Sequence, residues 1–206
     1  MAEKKIYQWT AAVRIEHWWH VAAMATLVFT GFYIHMPFLK GGNDDMGWMR
    51  FAHFVSMYVL IFGLLIRVYL AFFSRKAADW KELLPLPGNL AGIPEMVMFY
   101  LFLKKTHRPY KRYNPLQGLV YTLMGVMLLV MTFTGFAMHG GWLHSSFAWV
   151  NTMLGGEPAT RLVHYCGMWV LIYMSAVHTY FVIRQSLLEK DRTLMSMVDG
   201  YRSTPE

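Results

Sequence analysis

Polar and charged positions interrupt the chain in only a few places, and between them lie four apolar blocks, 17–38, 51–73, 116–138 and 162–188. Each is long enough to cross the roughly 30 Å of bilayer hydrocarbon, which takes about 20 helical residues. Pro37 and Pro115 stand where a helix can stop or start. Trp18, Trp19, Trp48, Tyr113 and Trp142 gather at the block ends, as an interfacial aromatic belt does. The pattern predicts an all-α integral membrane four-helix bundle made by the whole chain as one membrane domain. Between the second and third blocks, residues 89–106 (NLAGIPEMVMFYLFLKKT) read as a short interfacial amphipathic helix rather than a fifth span.

Composition agrees with that reading. Of 206 residues, 56% are apolar and only 15% charged, against about 25% charged in ordinary soluble domains. The formal charge of +7 need not mean a nucleic-acid partner, because its distribution has a topological explanation. Lys4, Lys5 and Arg14 precede or open the first block, and Arg75, Lys76, Lys81, Lys104, Lys105, Arg108, Lys111 and Arg112 fill the middle loop. Arg184, Lys190, Arg192 and Arg202 follow the last block, whereas the other two loops hold only Lys40, Arg50 and Arg161. The positive-inside rule then puts both termini and the middle loop in the cytoplasm. The first twenty residues are charged and lack the apolar core of a cleavable signal. Cys166, the single cysteine, excludes an internal disulfide and any cysteine-based metal or iron–sulfur site.

A weak internal repeat links the halves. Phe29-Thr30-Gly31-Phe32-x-x-His35 recurs as Phe133-Thr134-Gly135-Phe136-x-x-His139, and Arg50-x-x-His53 recurs as Arg161-x-x-His164. In that register Arg67 falls opposite His178, each fourteen positions beyond its histidine. Fourteen helical residues turn through about 1400°, only 40° short of four turns, and rise roughly 21 Å. His164 and His178 therefore share one helix face, one near each membrane edge.

Ligating side chains inside a bilayer are costly and usually functional, although a lone histidine there is often only a helix-to-helix hydrogen bonder. Here the depths match in pairs: His53 with His164 towards the outer side, and His17 with His178 towards the cytoplasmic side. Two stacked bis-imidazole sites suit two haems b, since imidazole is the usual nitrogen ligand of haem iron and no CxxCH attachment motif is present. Zinc is the alternative for a histidine pair, but it needs third and fourth ligands. Gly31, Gly63, Gly118, Gly135 and Gly167 would leave room for a flat ring between helices. His20 is an alternative first-span ligand. Arg14 and Arg67 are candidates to pair with haem propionates, and the bland alternative for Arg67 is snorkelling to the interface. His35 and His139 read as interfacial, while His107 and His144 fall in loops.

AVRIEHWWH opening the first span, MRFAHF the second, YNPLQ before the third, RLVHYCGMW with VHTY in the fourth, and DRTLMSMVDGYRS near the C-terminus together resemble a known family. It is the cytochrome b subunit of membrane-bound nickel–iron hydrogenases, related to the corresponding subunits of formate dehydrogenase and thiosulfate reductase. The resemblance covers nearly the whole chain, and its C-terminal motif points to the hydrogenase branch. It implies a multi-pass subunit of the bacterial inner membrane that anchors a periplasmic hydrogenase and carries its electrons to quinone. The small iron–sulfur subunit would be the direct partner, and the large nickel–iron subunit would be reached through it. The implied haem ligands are His17 with His178 and His53 with His164. His20 departs from the family motif and is also a candidate proton donor to quinone. Asn114 and Gln117 are quinone-site candidates by resemblance to the formate dehydrogenase branch, with a helix cap at Pro115 as the alternative. Competing functions are the cytochrome b of a formate dehydrogenase or other periplasmic oxidoreductase, and a haem-free anchor or proton-relay subunit.

Overall fold

A computed structural model describes residues 4–38, 44–77, 79–108, 110, 112–140, 142–188 and 192–204. Lys40, Lys111 and Lys190, used above for orientation, lie outside the described residues, as does the side chain of Trp142. The chain divides into two compact units: residues 1–77 with 176–206, and residues 78–175.

In the first unit, strand β1 (Lys4–Tyr7) leads into α1 (Ala11–His35) and α2 (Asp45–Phe73), which pack along each other. The unit also holds the last part of α8 (Glu157–Leu188), the short α9 (Thr193–Asp199) and strand β2 (Tyr201–Thr204). The strands pair antiparallel, Lys4 opposite Thr204 and Tyr7 opposite Tyr201. The termini are thus stitched together by backbone hydrogen bonds, which apolar periodicity could not foretell in so short and polar a stretch. Gly200 makes the corner at φ 90°, where its carbonyl accepts from the N–H groups of Gln8 (2.8 Å) and Trp9 (3.2 Å). A Cβ there would come within 2.7 Å of the Tyr7 ring, so only glycine fits. Arg14 donates from α1 to the Val198 carbonyl, and Trp18 Nε1 donates to the Met197 carbonyl at 2.9 Å. These bonds satisfy carbonyls near the end of α9 that have no partner within the helix.

In the second unit the long helix is α6 (Pro115–Met138), joined by α3 (Trp80–Leu83), α4 (Pro87–Leu90), α5 (Ile93–Tyr100), α7 (Trp142–Leu154) and the first part of α8. Asn114 and Gln117 close a capping box at the start of α6: the Asn114 carboxamide oxygen accepts from Gln117 N–H (2.9 Å), and Gln117 Oε1 accepts from Asn114 N–H (3.1 Å). Pro115 fills the first helical position, where a missing N–H costs nothing. Thr122 donates to the Leu83 carbonyl at 2.9 Å, and Tyr113 donates to Asp79 at 3.1 Å. The middle loop is therefore clamped onto the first turns of α6.

The expected single helix over 89–106 is corrected. Its first residues belong to α4, which gives way to α5 at a turn through Ala91 and Gly92, and α5 stops before Phe102, whose φ is 62°. Pro94 enters in the first turn of α5, where it can begin a helix but not continue one. The segment at 142–154, expected as an outer loop, is the helix α7, so His144 is helical. The glycines at tight places also differ from expectation: protein fills the space at three of them. The position of a Cβ on Gly63 is met by His20, on Gly118 by the Glu82 carbonyl at 2.5 Å, and on Gly167 by Met131 Sδ at 2.7 Å.

Among the described residues, three helices are long and apolar enough to cross a membrane: α2, α6 and α8. Most of each apolar window stays unburied within the chain, as lipid-facing helices require. The first helix, α1, has 25 residues and so spans about 37 Å. Its first turns carry Arg14, Glu16, His17 and His20, which lower its apolar content.

Candidate functional site

Helical spacing determines which side chains of α1 turn inward. His17 faces His178 of α8 inside the first unit, with ring centres 6.4 Å apart and ring planes inclined at 74°. His20, one turn further, is engaged differently. Its Nδ1 contacts the buried Glu16 carboxylate, and its ring lies against Gly63 of α2, with Cε1 3.0 Å from where a Cβ would stand. Its Nε2 is buried without a hydrogen-bond partner among the described residues. The structure thus separates two histidines that the sequence left as alternatives: His17 meets His178, and His20 is held by Glu16 beneath α2.

His53, on α2 in the first unit, hydrogen-bonds through Nδ1 with Thr30 Oγ1 of α1 at 2.9 Å. His164, on α8 in the second unit, hydrogen-bonds through Nδ1 with Thr134 Oγ1 of α6 at 2.8 Å. Each threonine is 2% exposed and belongs to the repeated Phe-Thr-Gly-Phe motif. The repeat is thus visible as the same threonine–histidine pair built separately in each unit. In the sequence these threonines carry one signal, a hydroxyl at an equivalent position of both copies in a motif otherwise apolar or ending in histidine, and it is too slight to single them out.

The remaining candidates divide. Arg14 reaches the Val198 carbonyl, while its Nε is buried with no partner among the described residues. Arg67 lies half-buried on α2, fourteen residues beyond His53. Asn114 and Gln117 are used in the capping box, and the Asn114 amide also donates to Tyr100 O–H at 2.9 Å, so the cap is realised. His139 caps the end of α6, its Nδ1 2.5 Å from the Gly140 carbonyl. His144 Nδ1 (2.8 Å) and Asn151 Nδ2 (3.1 Å) both reach the Ala137 carbonyl and tie α7 to α6. His107 sits against Phe99 and stacks on Tyr110. Among the described residues no three histidine, cysteine or acidic side chains converge on one point, as the four-ligand cage of a lone zinc ion would require.

A family model described as prokaryotic cytochrome b561 matches residues 8–200. The chain belongs to the prokaryotic cytochrome b561 family. The cytochrome is 33% identical to the "Probable Ni/Fe-hydrogenase B-type cytochrome subunit" of Azotobacter vinelandii, over 96% of this chain and 88% of that protein. It is 31% identical to the protein of the same description from Cupriavidus necator, over 97% and 88% of the two chains. The "Probable Ni/Fe-hydrogenase 1 B-type cytochrome subunit" of Escherichia coli (strain K12) is 29% identical over 96% of this chain and 90% of its own. The cytochrome is accordingly a b-type, haem-binding electron carrier and a multi-pass protein of the bacterial inner membrane.

Proposed function

We propose that the cytochrome receives electrons from a periplasmic nickel–iron hydrogenase, which it anchors, and passes them through two haems b to membrane quinone. The observation that carries the reading is the His17–His178 pair. His17 and His178 would hold one iron between them, for which nitrogen–metal bonds of about 2.0 Å call for ring centres roughly 6 Å apart. The two rings stand 6.4 Å apart. Among the described residues no further histidine, cysteine or acidic group joins them as a metal cluster, which suits an iron whose other ligands belong to a macrocycle.

Bound haem iron supplies reversible one-electron exchange. The chain's part is to hold and orient: His17 and His178 as one ligand pair, and His53 and His164 as the other, the latter pairing drawn from their matched depths in the sequence. Arg14, with its buried Nε donor, and Arg67 are assigned to the propionates. His20 would move a proton between Glu16 and quinone on the cytoplasmic side. Asn114 and Gln117, whose first duty is to start α6, are assigned as hydrogen-bond partners of a quinone carbonyl on the strength of the sequence resemblance. We assign α1 as the fourth span, with both termini cytoplasmic; the β1–β2 pairing supports one aqueous phase for both ends. A hydrogenase is proposed as partner because similar proteins are described as Ni/Fe-hydrogenase B-type cytochrome subunits, and its small subunit, leading to the large one, is our assignment from the sequence resemblance.

A haem count per polypeptide on purified protein tests the ligands. The wild type is expected to hold two haems, His178→Ala and His17→Ala one each, and His20→Ala two. His164→Ala should lose one haem and abolish hydrogen-dependent quinone reduction while hydrogen oxidation with an artificial acceptor persists. A His178→Ala protein that keeps both haems rejects the assignment.

A further inference from the structure

The two threonines of the repeat do more than pack. Thr30 Oγ1 lies 2.7 Å from the Thr26 carbonyl and 3.3 Å from that of Leu27, and Thr134 Oγ1 lies 2.7 Å from the Val130 carbonyl and 3.2 Å from that of Met131. A helical threonine commonly donates its hydroxyl proton back to the carbonyl one turn earlier. A hydroxyl has one proton and two lone pairs. Were that proton given to the histidine instead, oxygen lone pairs would face each other across 2.7 Å in each helix. The proton therefore goes to the carbonyl, and the hydroxyl oxygen accepts from the imidazole. Nδ1 of His53 and of His164 must then carry hydrogen, which leaves the lone pair of each neutral ring on Nε2.

We infer that Thr30 and Thr134 are positioning residues that lock His53 and His164 into the tautomer and ring orientation in which Nε2 ligates haem iron. This rests on the reading above that both histidines are haem ligands. The chemistry is that of an outer hydrogen bond to a metal-bound imidazole: it fixes the ring, and by drawing on the Nδ1 proton it makes the ligand more basic. A more basic ligand favours the oxidised iron. The identical construction treats His53 and His164 alike, each within its own unit, and it explains a polar threonine at 2% exposure in each copy of an otherwise apolar motif.

The test compares Thr30→Val and Thr134→Val with Thr30→Ser and Thr134→Ser in the full-length cytochrome. The readouts are haem per polypeptide, the midpoint potential of each haem and the low-spin ferric resonance. Loss of such an outer partner typically weakens metal binding about 10- to 100-fold. Each valine variant should therefore release the affected haem on dilution, or retain it with a raised midpoint potential and an altered ferric signature. Serine should restore the wild-type values. Thr132→Val serves as control, because its hydroxyl donates to the Leu128 carbonyl at 2.8 Å in the same helix, and it should change none of these. Where a valine variant is not recovered from membranes, alanine replaces it, since it also removes the acceptor oxygen. Valine or alanine variants with unchanged haem content, potential and resonance overturn the inference, as does failure of serine to restore them. His53→Ala and His164→Ala separate the two levels: full haem content in those variants sinks the ligand reading itself, whereas haem loss there with silent threonine variants sinks only the positioning role.

Discussion

Several side chains in this cytochrome are held by what lies one helical turn away. Glu16 reaches His20 within α1, Thr30 and Thr134 bond back to carbonyls of their own helices, and Glu157 pairs with Arg161 at 2.5 Å. Outside the spans, Glu95 of α5 receives Lys104 at 2.7 Å and Arg108 at 3.0 Å. The Lys104 hydrogen bond first, and then the charges of Lys104 and Arg108, hold the Glu95 carboxyl below its ordinary value. A carboxylate with a depressed folded pKa binds fewer protons folded than unfolded near that value, so its contribution is present at neutral pH and lost as the pH falls from about 4.5 through the folded pKa. Thermal melts from pH 7 downwards should show Glu95→Gln less stable than wild type at neutrality, with the gap closing on acidification and shrinking in high salt. A gap that widens in acid would contradict the assignment.

Whole elements are placed by close backbone approaches as much as by apolar faces. The carbonyl of Glu82 stands where a Gly118 side chain would be, so α3 lies directly on α6. Nothing lies within 4 Å of a Cβ added to Gly125, about two turns further along α6. Gly118→Ala is therefore expected to displace α3 and lower the melting temperature sharply. Gly125→Ala should be neutral or stabilise by up to about 1 kcal/mol, from helix propensity alone. Equal melting of the two variants would reject the close approach. The boundaries of these helices were readable in part. Three of the four expected blocks are contained in α2, α6 and α8, while the first overruns its helix, which ends at His35. The helices also begin earlier than hydropathy suggests, because polar first turns such as those at Ala11 and Asp45 still form backbone hydrogen bonds although they do not belong in lipid. The broken middle-loop helix was less legible, since apolar spacing runs through the turn at Gly92 without interruption.

For the molecule as a whole, the terminal strand pair sets the strongest constraint on topology. Two chain ends joined by backbone hydrogen bonds share one aqueous phase, and the proposal that this phase is the cytoplasm rests on the basic residues near both ends. Reporter fusions active only in the cytoplasm should be active at both termini, and a reporter active only in the periplasm at neither. A periplasmic signal from either end would overturn the four-span topology. Apolar block length and the scatter of basic residues were enough to declare a helical membrane protein with histidines at two depths, because burial in lipid demands long uninterrupted apolar runs whatever the packing. Hydropathy could not choose between His17 and His20, three residues apart on nearly the same face. Their different surroundings belong to the tertiary structure, in which His178 comes opposite the His17 ring while Glu16 and Gly63 confine that of His20. Nor could a threonine be told from packing material until the neighbouring helix brought an imidazole nitrogen to its hydroxyl. Lipid selects for composition along one strand of chain, whereas a hydrogen bond between helices depends on register and rotation that only the folded backbone supplies.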